Sequence, residues 1–400
     1  MKRLRQQQGF AMILEIILVL IVLAVAGVTV KTIHDHKANK NSVATSGSPA
    51  DAEAAGKSLS GGHCSGTGSS KLSVSPMKAE DYAFIEPYGL MVGGHVTPVD
   101  HQYFSPTVFN SKPDTYEVHA MGDAKIVSIE VHPTRIRLVF SVSCTFFYYY
   151  DLLTSVEPNI NEKALPIDVK AGQLIGHIGG QTLDFAVWDT TKPLTGFINP
   201  AHYTGEAWKI YTADPLNYYT DDLKKLALSK YVRTAEPRSG KIDYDIDGKL
   251  AGNWFQVGTN GYAGASGNAQ PGYWDGHLAF APDYIDPTVQ IISIGYLAPA
   301  NGQGINQFAV PSGSPDPNTI GANSGLVKFE LKRGSYLKAD GSRWDSMSYS
   351  SPIKLSTAGQ ATVGCALAQM TGDRQLKFET FMGASCASVS GFNNPRTYER

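Results

Sequence analysis

Charge is scarce in this 400-residue sequence: Asp, Glu, Lys and Arg together make up 18%, and they nearly cancel to a net charge of −2. Without a basic excess there is no electrostatic footprint for nucleic acid, and that class of partner is set aside. Cysteine is sparse too, with 4 residues at positions 64, 144, 365 and 386. None of their spacings makes a zinc knuckle or a redox Cys-x-x-Cys. No pair of carboxylates stands out as a glycosidase acid and nucleophile. What the chain has in quantity is Gly (40), Tyr (20) and Phe (16), a composition that favours turn-rich β structure over helices. Its length suggests two folded units plus extras.

The one long apolar run lies at residues 10–30, after the basic Lys2, Arg3 and Arg5 of residues 1–9. At about 1.5 Å rise per residue it is long enough for a bilayer and longer than a signal-peptide core. The expectation is a single-pass signal anchor, with the bulk of the chain extracytoplasmic. Gly9-Phe10 followed by Glu15 also resembles a type IV prepilin processing site, although the glutamate stands one place late. A pilin-like surface subunit therefore stays open as an alternative. Residues 31–73 are rich in Ser, Gly, Ala and Asn and read as a flexible linker. His63-Cys64 within it reads as an incidental pair. Cys144 sits in an apolar run and reads as a buried free thiol. Cys365 and Cys386 flank a hairpin-like segment and are expected to form a disulfide.

Residues 74–210 make the first folded unit. Near its start, His95, Asp100 and His101 fall within seven residues of a Gly/Pro-rich loop. A histidine and a carboxylate in one loop, completed from a distant strand, is a common way to build a three-ligand zinc site. Alternating strands are expected at 116–120, 124–131, 135–142 and 144–152. Residues 169–188 then read as a strand, a glycine-rich turn and a second strand carrying Asp184.

This last layout resembles the closing hairpin of the M23 (LytM/lysostaphin-like) zinc peptidases. The resemblance covers roughly residues 85–190 and implies an M23-like β-barrel or sandwich. It implies His95, Asp100 or His101, and Asp184 as ligands of a Zn2+ ion. The two family histidines that move protons and stabilise the oxyanion correspond to Asp151 and Thr182. Threonine does not shuttle protons near neutral pH, and an anionic aspartate repels a developing oxyanion. The architectural phrases of the family are present and its catalytic phrases are not.

A helical connector at 211–238 has a cap candidate at Thr220, acidic residues in its first turn and Pro237 as its stop. Residues 239–400 form a second small β-barrel or sandwich, with strands expected at 273–280, 289–296, 325–331 and 375–382. Asp243, Asp245 and Asp247 imitate the start of a calcium loop, but Trp254 stands where the bidentate glutamate belongs. The simpler reading is a strand whose acids face water. The phrase from Gly248 to Phe255 is similar to the first strand of lipocalin-like barrels. The whole reads as a mainly β, membrane-anchored, extracytoplasmic protein with a catalytically degenerate M23-like domain. It would be an envelope binding or scaffold module for a cell-wall peptide or glycan, or else an active zinc hydrolase with a remodelled site.

Overall fold

The computed structural model describes residues 48–265, 272–299 and 304–400. The expected anchor at 10–30, the prepilin-like site and the first part of the linker lie outside the described residues. Among those described, no helix is long and apolar enough to cross a membrane.

The first unit is a two-layer β structure. Its main sheet comprises β1 (Tyr82–Glu86), β2 (Gln102–Pro106), β4 (Ala124–His132), β5 (Arg135–Ser141), β6 (Phe146–Leu153), β8 (Ile167–Val169), β10 (Leu183–Asp189) and β11 (Thr212–Ala213). The order across it is β1-β2-β10-β6-β5-β4-β8, with β11 on β10. A smaller sheet of β3 (Tyr116–His119), β9 (Leu174–Ile178) and β7 (Ser155–Val156) covers one face. Between the layers pack Val118, Ile175, Ile178, Phe140, Tyr148, Tyr150, Leu183, Phe185 and Val187, joined by Leu223 and Ala227 of a helix, Asp221–Lys230. Thr220 precedes that helix but makes no side-chain cap bond, and the helix stops at Lys230, well before Pro237.

Period-two alternation sends Asp184, Ala186 and Trp188 to the opposite face. That face is not open to solvent either, since all of β10 is buried. Trp188, Tyr149, Phe147 and Val139 are covered there by Tyr203 and Tyr211 of a 3-10 strap (Pro200–Tyr211), and by Phe255 and Tyr262 of the second unit.

The linker expectation is corrected from residue 48 onward. Pro49–Leu59 is an α-helix, opened by a capping box between Ser48 and Asp51. Its fully buried residues are the small Ala52 and Gly56, with Ala55 and Leu59 packed partly against the core. Gly56 is pressed so close to the carbonyl oxygen of Cys144 that a Cβ there would sit 1.6 Å from it. Composition arguments count bulky apolar residues, and a helix that docks through glycine escapes them. Cys144 is corrected as well: it is no free thiol but bonded to Cys64, 80 residues away. Cys365 and Cys386 form the second disulfide and tie the hairpin of β19 (Thr362–Gly372) and β20 (Gln375–Met382).

In the second unit a closed barrel runs through β12 (Gly252–Gln256), β13 (His277–Pro282), β14 (Gln290–Ile294), β15 (Gln307–Ala309), β16 (Val327–Lys332), β19, β20 and β21 (Arg396–Glu399). A hairpin of β17 (Ser335–Lys338) and β18 (Ile353–Ser356) projects from it. Trp254, Phe280, Ile292, Phe308, Phe329, Phe378 and Tyr398 fill the interior, as side chains do in barrels of this size. Arg400 lies over the Trp254 ring at 4.0 Å.

The strand expected around Tyr244, with its acids in water, does not form. Asp243 accepts from the Gly196 amide at 2.8 Å. Asp245 accepts from the amides of Ile198 and Asn253 at 3.0 and 2.7 Å. Only Asp247 faces outward, paired with Arg374. Two of the three acids thus bind backbone amides and hold residues 196–198 to the barrel.

Candidate functional site

Four strands place a row of polar side chains on the strap-covered face of the main sheet. Glu86 on β1 is opposite Tyr103 on β2, Tyr103 is opposite Asp184 on β10, and Asp184 is opposite Asp151 on β6. Directly opposed residues on antiparallel strands project to the same side, so the row is a consequence of register. His101, just before β2, reaches over it. Its Nε2 lies 3.0 Å from the Tyr103 hydroxyl and 3.4 Å from Asp184 Oδ2, and its Nδ1 lies 3.5 Å from Asp100 Oδ1.

The sequence candidates are therefore neighbours, but they do not converge on a metal. Among the described residues no group of three or more His, Cys, Asp or Glu is placed to hold one. The reason lies in what each donor is already doing. Asp100 Oδ1 accepts from Lys209 Nζ at 2.7 Å, and its Oδ2 accepts from Trp208 Nε1 at 2.9 Å. Asp184 faces His101 and accepts from the Thr182 hydroxyl at 3.4 Å. His95 meets the His101 ring edge to face at 6.0 Å. Its loop is fastened to the barrel, with the Gly93 carbonyl accepting from Asn306 Nδ2 and Gln307 Nε2. A divalent cation would have to displace the Lys209 ammonium from Asp100. This donor set does not fit a zinc ion.

Electrostatics follow from burial and these partners. Burial pushes the Asp184 carboxyl up to about 6, with His101 opposing the shift and Asp151 adding to it. Glu86 is pushed up to about 7 by burial, offset in part by the Tyr284 hydroxyl that donates to it at 2.8 Å. Burial pulls His95 down to about 3. Burial also penalises the Asp100 charge, but Lys209 and His101 outweigh it and hold the carboxyl below its ordinary range.

Asp151 behaves alike. Its burial is outweighed by Arg137 and Arg135, whose nitrogens stand 2.8 and 2.5 Å away. Asp151 is thus a fixed carboxylate clamped by two guanidiniums and cannot serve as a proton-transfer group. Thr182 offers only a hydroxyl to Asp184.

Several residues were invisible to sequence reasoning: Lys209, Trp208 and Glu206 of the strap, Arg135 and Arg137, and Glu86. One signal was present. Lys209 is a lone cation within Trp208-Lys209-Ile210-Tyr211, an apolar context in which a lysine needs a buried partner. Among the other histidines, His119 and His132 lie within 4 Å of the glutamates Glu117 and Glu130, and His277 is buried against the Tyr262 carbonyl.

No family model matches the sequence, and no curated protein matches it. Solved structures do. Csd3 of Helicobacter pylori matches at 16% identity over 40% of this chain and 40% of its own, with a TM-score of 0.26. A zinc-containing peptidase from Vibrio cholerae matches at 20% identity over 30% of this chain and 39% of its own, with a TM-score of 0.23. The catalytic domain of the antimicrobial peptidase lysostaphin from Staphylococcus simulans matches at 20% identity over 34% of this chain and 88% of its own, with a TM-score of 0.21. This chain spans less than half the length of the Csd3 structures it matches.

Proposed function

We propose that this chain is an extracytoplasmic envelope protein whose M23-like unit serves as a binding or scaffold module without peptidase chemistry. The observation that carries the reading is the contact of Lys209 with Asp100. A buried ammonium stands on the carboxylate where the resemblance would put a metal, and the imidazole beside Asp184, that of His101, is already engaged by Tyr103 and Asp100. Two disulfides, with no free cysteine among the described residues, support an oxidising compartment. The ligand class is a cell-wall peptide or glycan. It would lie in a groove of about 680 Å³ beside the turn of β4 and β5, where Asn110, Ser111, His132, Arg135, Gly180 and Gln181 offer polar and backbone contacts. Attachment would come through a signal anchor at residues 10–30.

The test is zinc stoichiometry of the purified full-length chain, paired with sedimentation against insoluble peptidoglycan. The reading expects no bound zinc, co-sedimentation with the wall, and no release of wall fragments. One zinc per chain that disappears with Asp184→Ala, together with wall hydrolysis, would instead establish the hydrolase alternative. N-terminal sequencing that begins at Phe10 would favour the pilin-like one.

A further inference from the structure

We propose that Lys209 and Asp100 become joined by an intramolecular amide bond, a self-formed cross-link between the strap and the loop leading into β2. Lys209 Nζ is 2.7 Å from Asp100 Oδ1. The carboxyl carbon is one bond further, near the roughly 3–3.5 Å at which reacting atoms are positioned for attack. The two side chains are only 6% and 5% exposed, so bulk water does not compete for either. The Tyr262 ring lies 4.6 Å from Nζ and walls the pair in.

Two further groups complete the chemistry. Trp208 Nε1 donates to Asp100 Oδ2 at 2.9 Å, the oxygen on which negative charge grows as the amine adds. Glu206 Oε2 stands 3.1 Å from Lys209 Nζ and is a second carboxylate able to take a proton from it. Burial opposes both charges, but their mutual attraction outweighs it and keeps the resting pair ionised, so the proton transfer that opens the reaction is uphill.

The step balances without a co-reactant. One proton crosses from the ammonium to the carboxylate, leaving an amine and an acid. The amine lone pair forms the Nζ–Cγ bond, and Glu206 takes a second proton from nitrogen. It returns that proton to the hydroxyl, the Cγ–O bond breaks, and one water departs. Nothing is oxidised or reduced. Condensation of amine and acid is unfavourable in dilute water. Here both reactants are held at high effective concentration in a site that excludes it.

The cross-link goes beyond the proposed function, which needs only that Lys209 occupy Asp100 and holds equally for an ionic contact. Intact mass of the full-length chain, denatured and with its cysteines reduced, provides the test. The expected mass is one water below that of the sequence, and a proteolytic map should contain a branched peptide joining Asp100 to Lys209. Glu206→Gln should restore the full mass in a protein that keeps the wild-type circular dichroism. If that variant does not fold, the wild-type map decides alone. Full wild-type mass, with Lys209 labelled by an amine-reactive reagent after denaturation, would overturn the proposal. Mass and zinc content are separate readouts, so this inference and the functional reading can fail independently.

Discussion

Lys209 has few alternatives to Asp100: its ammonium is buried among Trp208, Tyr262 and Glu206. Removing it by Lys209→Met leaves the Asp100 carboxylate with a tryptophan N–H and a histidine as company. Stranding a buried charge in this way costs about 3–5 kcal/mol. The expected outcome is a large fall in the urea midpoint, and Lys209→Met combined with Asp100→Asn should recover much of it. Equal losses in the single and double variants would mean that the charge is not the cause.

The raised carboxyls set a pH dependence of opposite sign to the usual acid denaturation. Glu86, ordinarily near 4.5, stands at about 7 in the fold, and Asp184, ordinarily near 3.8, at about 6. The folded state therefore keeps these protons longer than the unfolded chain does. Their contribution is fully present below about pH 4 and is lost as pH rises through 6 to 7. Asp100 and Asp151 are held low and act the other way, losing their contribution only as pH falls below the ordinary carboxylate range. Melting temperature recorded from pH 4 to 8 should thus decline toward neutrality, and Glu86→Gln should flatten the decline. A variant profile parallel to wild type would refute the assignment.

At this scale the sequence was half legible. His95, Asp100 and His101 announce themselves by crowding into one loop, and Asp184 by its hairpin. The partner of Asp100 is a lysine more than a hundred residues later, and no spacing rule connects the two.

At the scale of elements, strand positions in the first unit were readable because alternation and turn chemistry are local properties. Residues 124–131 and 135–142 were expected as strands and appear as Ala124–His132 and Arg135–Ser141. The failures share one cause: contacts that depend on distant residues. The helix Pro49–Leu59 has its docking partner at Cys144, and the acids Asp243 and Asp245 have theirs at residues 196–198. Gly56→Val should detach that helix, because its side chain has no room beside the Cys144 carbonyl. The expected readout is new cleavage between residues 48 and 63 in limited proteolysis. Unchanged resistance would show that the helix docks otherwise. Removing the Cys64–Cys144 bond with paired serines should cost more than removing Cys365–Cys386. The closed loops span 80 and 21 residues, which in the chain-entropy account correspond to roughly 4–5 and 3 kcal/mol. Thermal shifts of the two variants compare them directly.

Taken as a molecule, the two β units are not beads on a string. Trp274 of the second unit lies against Gly94 of the first, at a separation where a Cβ would meet the indole at 3.0 Å. Tyr284 donates to Glu86, and Asn306 to the Gly93 carbonyl. Strands before residue 238 and strands after it lie in separate sheets, and side chains from both share one buried cluster. A fragment ending at residue 238 would strip Phe255 and Tyr262 from Tyr203, and should bind a hydrophobic dye that the full chain does not.

The Cys64–Cys144 bond also determines how the protein would bear a load. Tension applied at the N-terminal end can peel away the helix at Pro49–Leu59, but at Cys64 it passes across the bond into the sheet at Cys144. The stretch between them, which includes His95, Asp100 and His101, is bypassed. In a pulling experiment, breaking the fold under oxidising conditions should release a contour length short by roughly 270 Å, at the 3.3–3.6 Å each residue spans when extended. Adding a reductant should return the missing length. For a protein held at one end, such a bond places the loop carrying those side chains off the line of force.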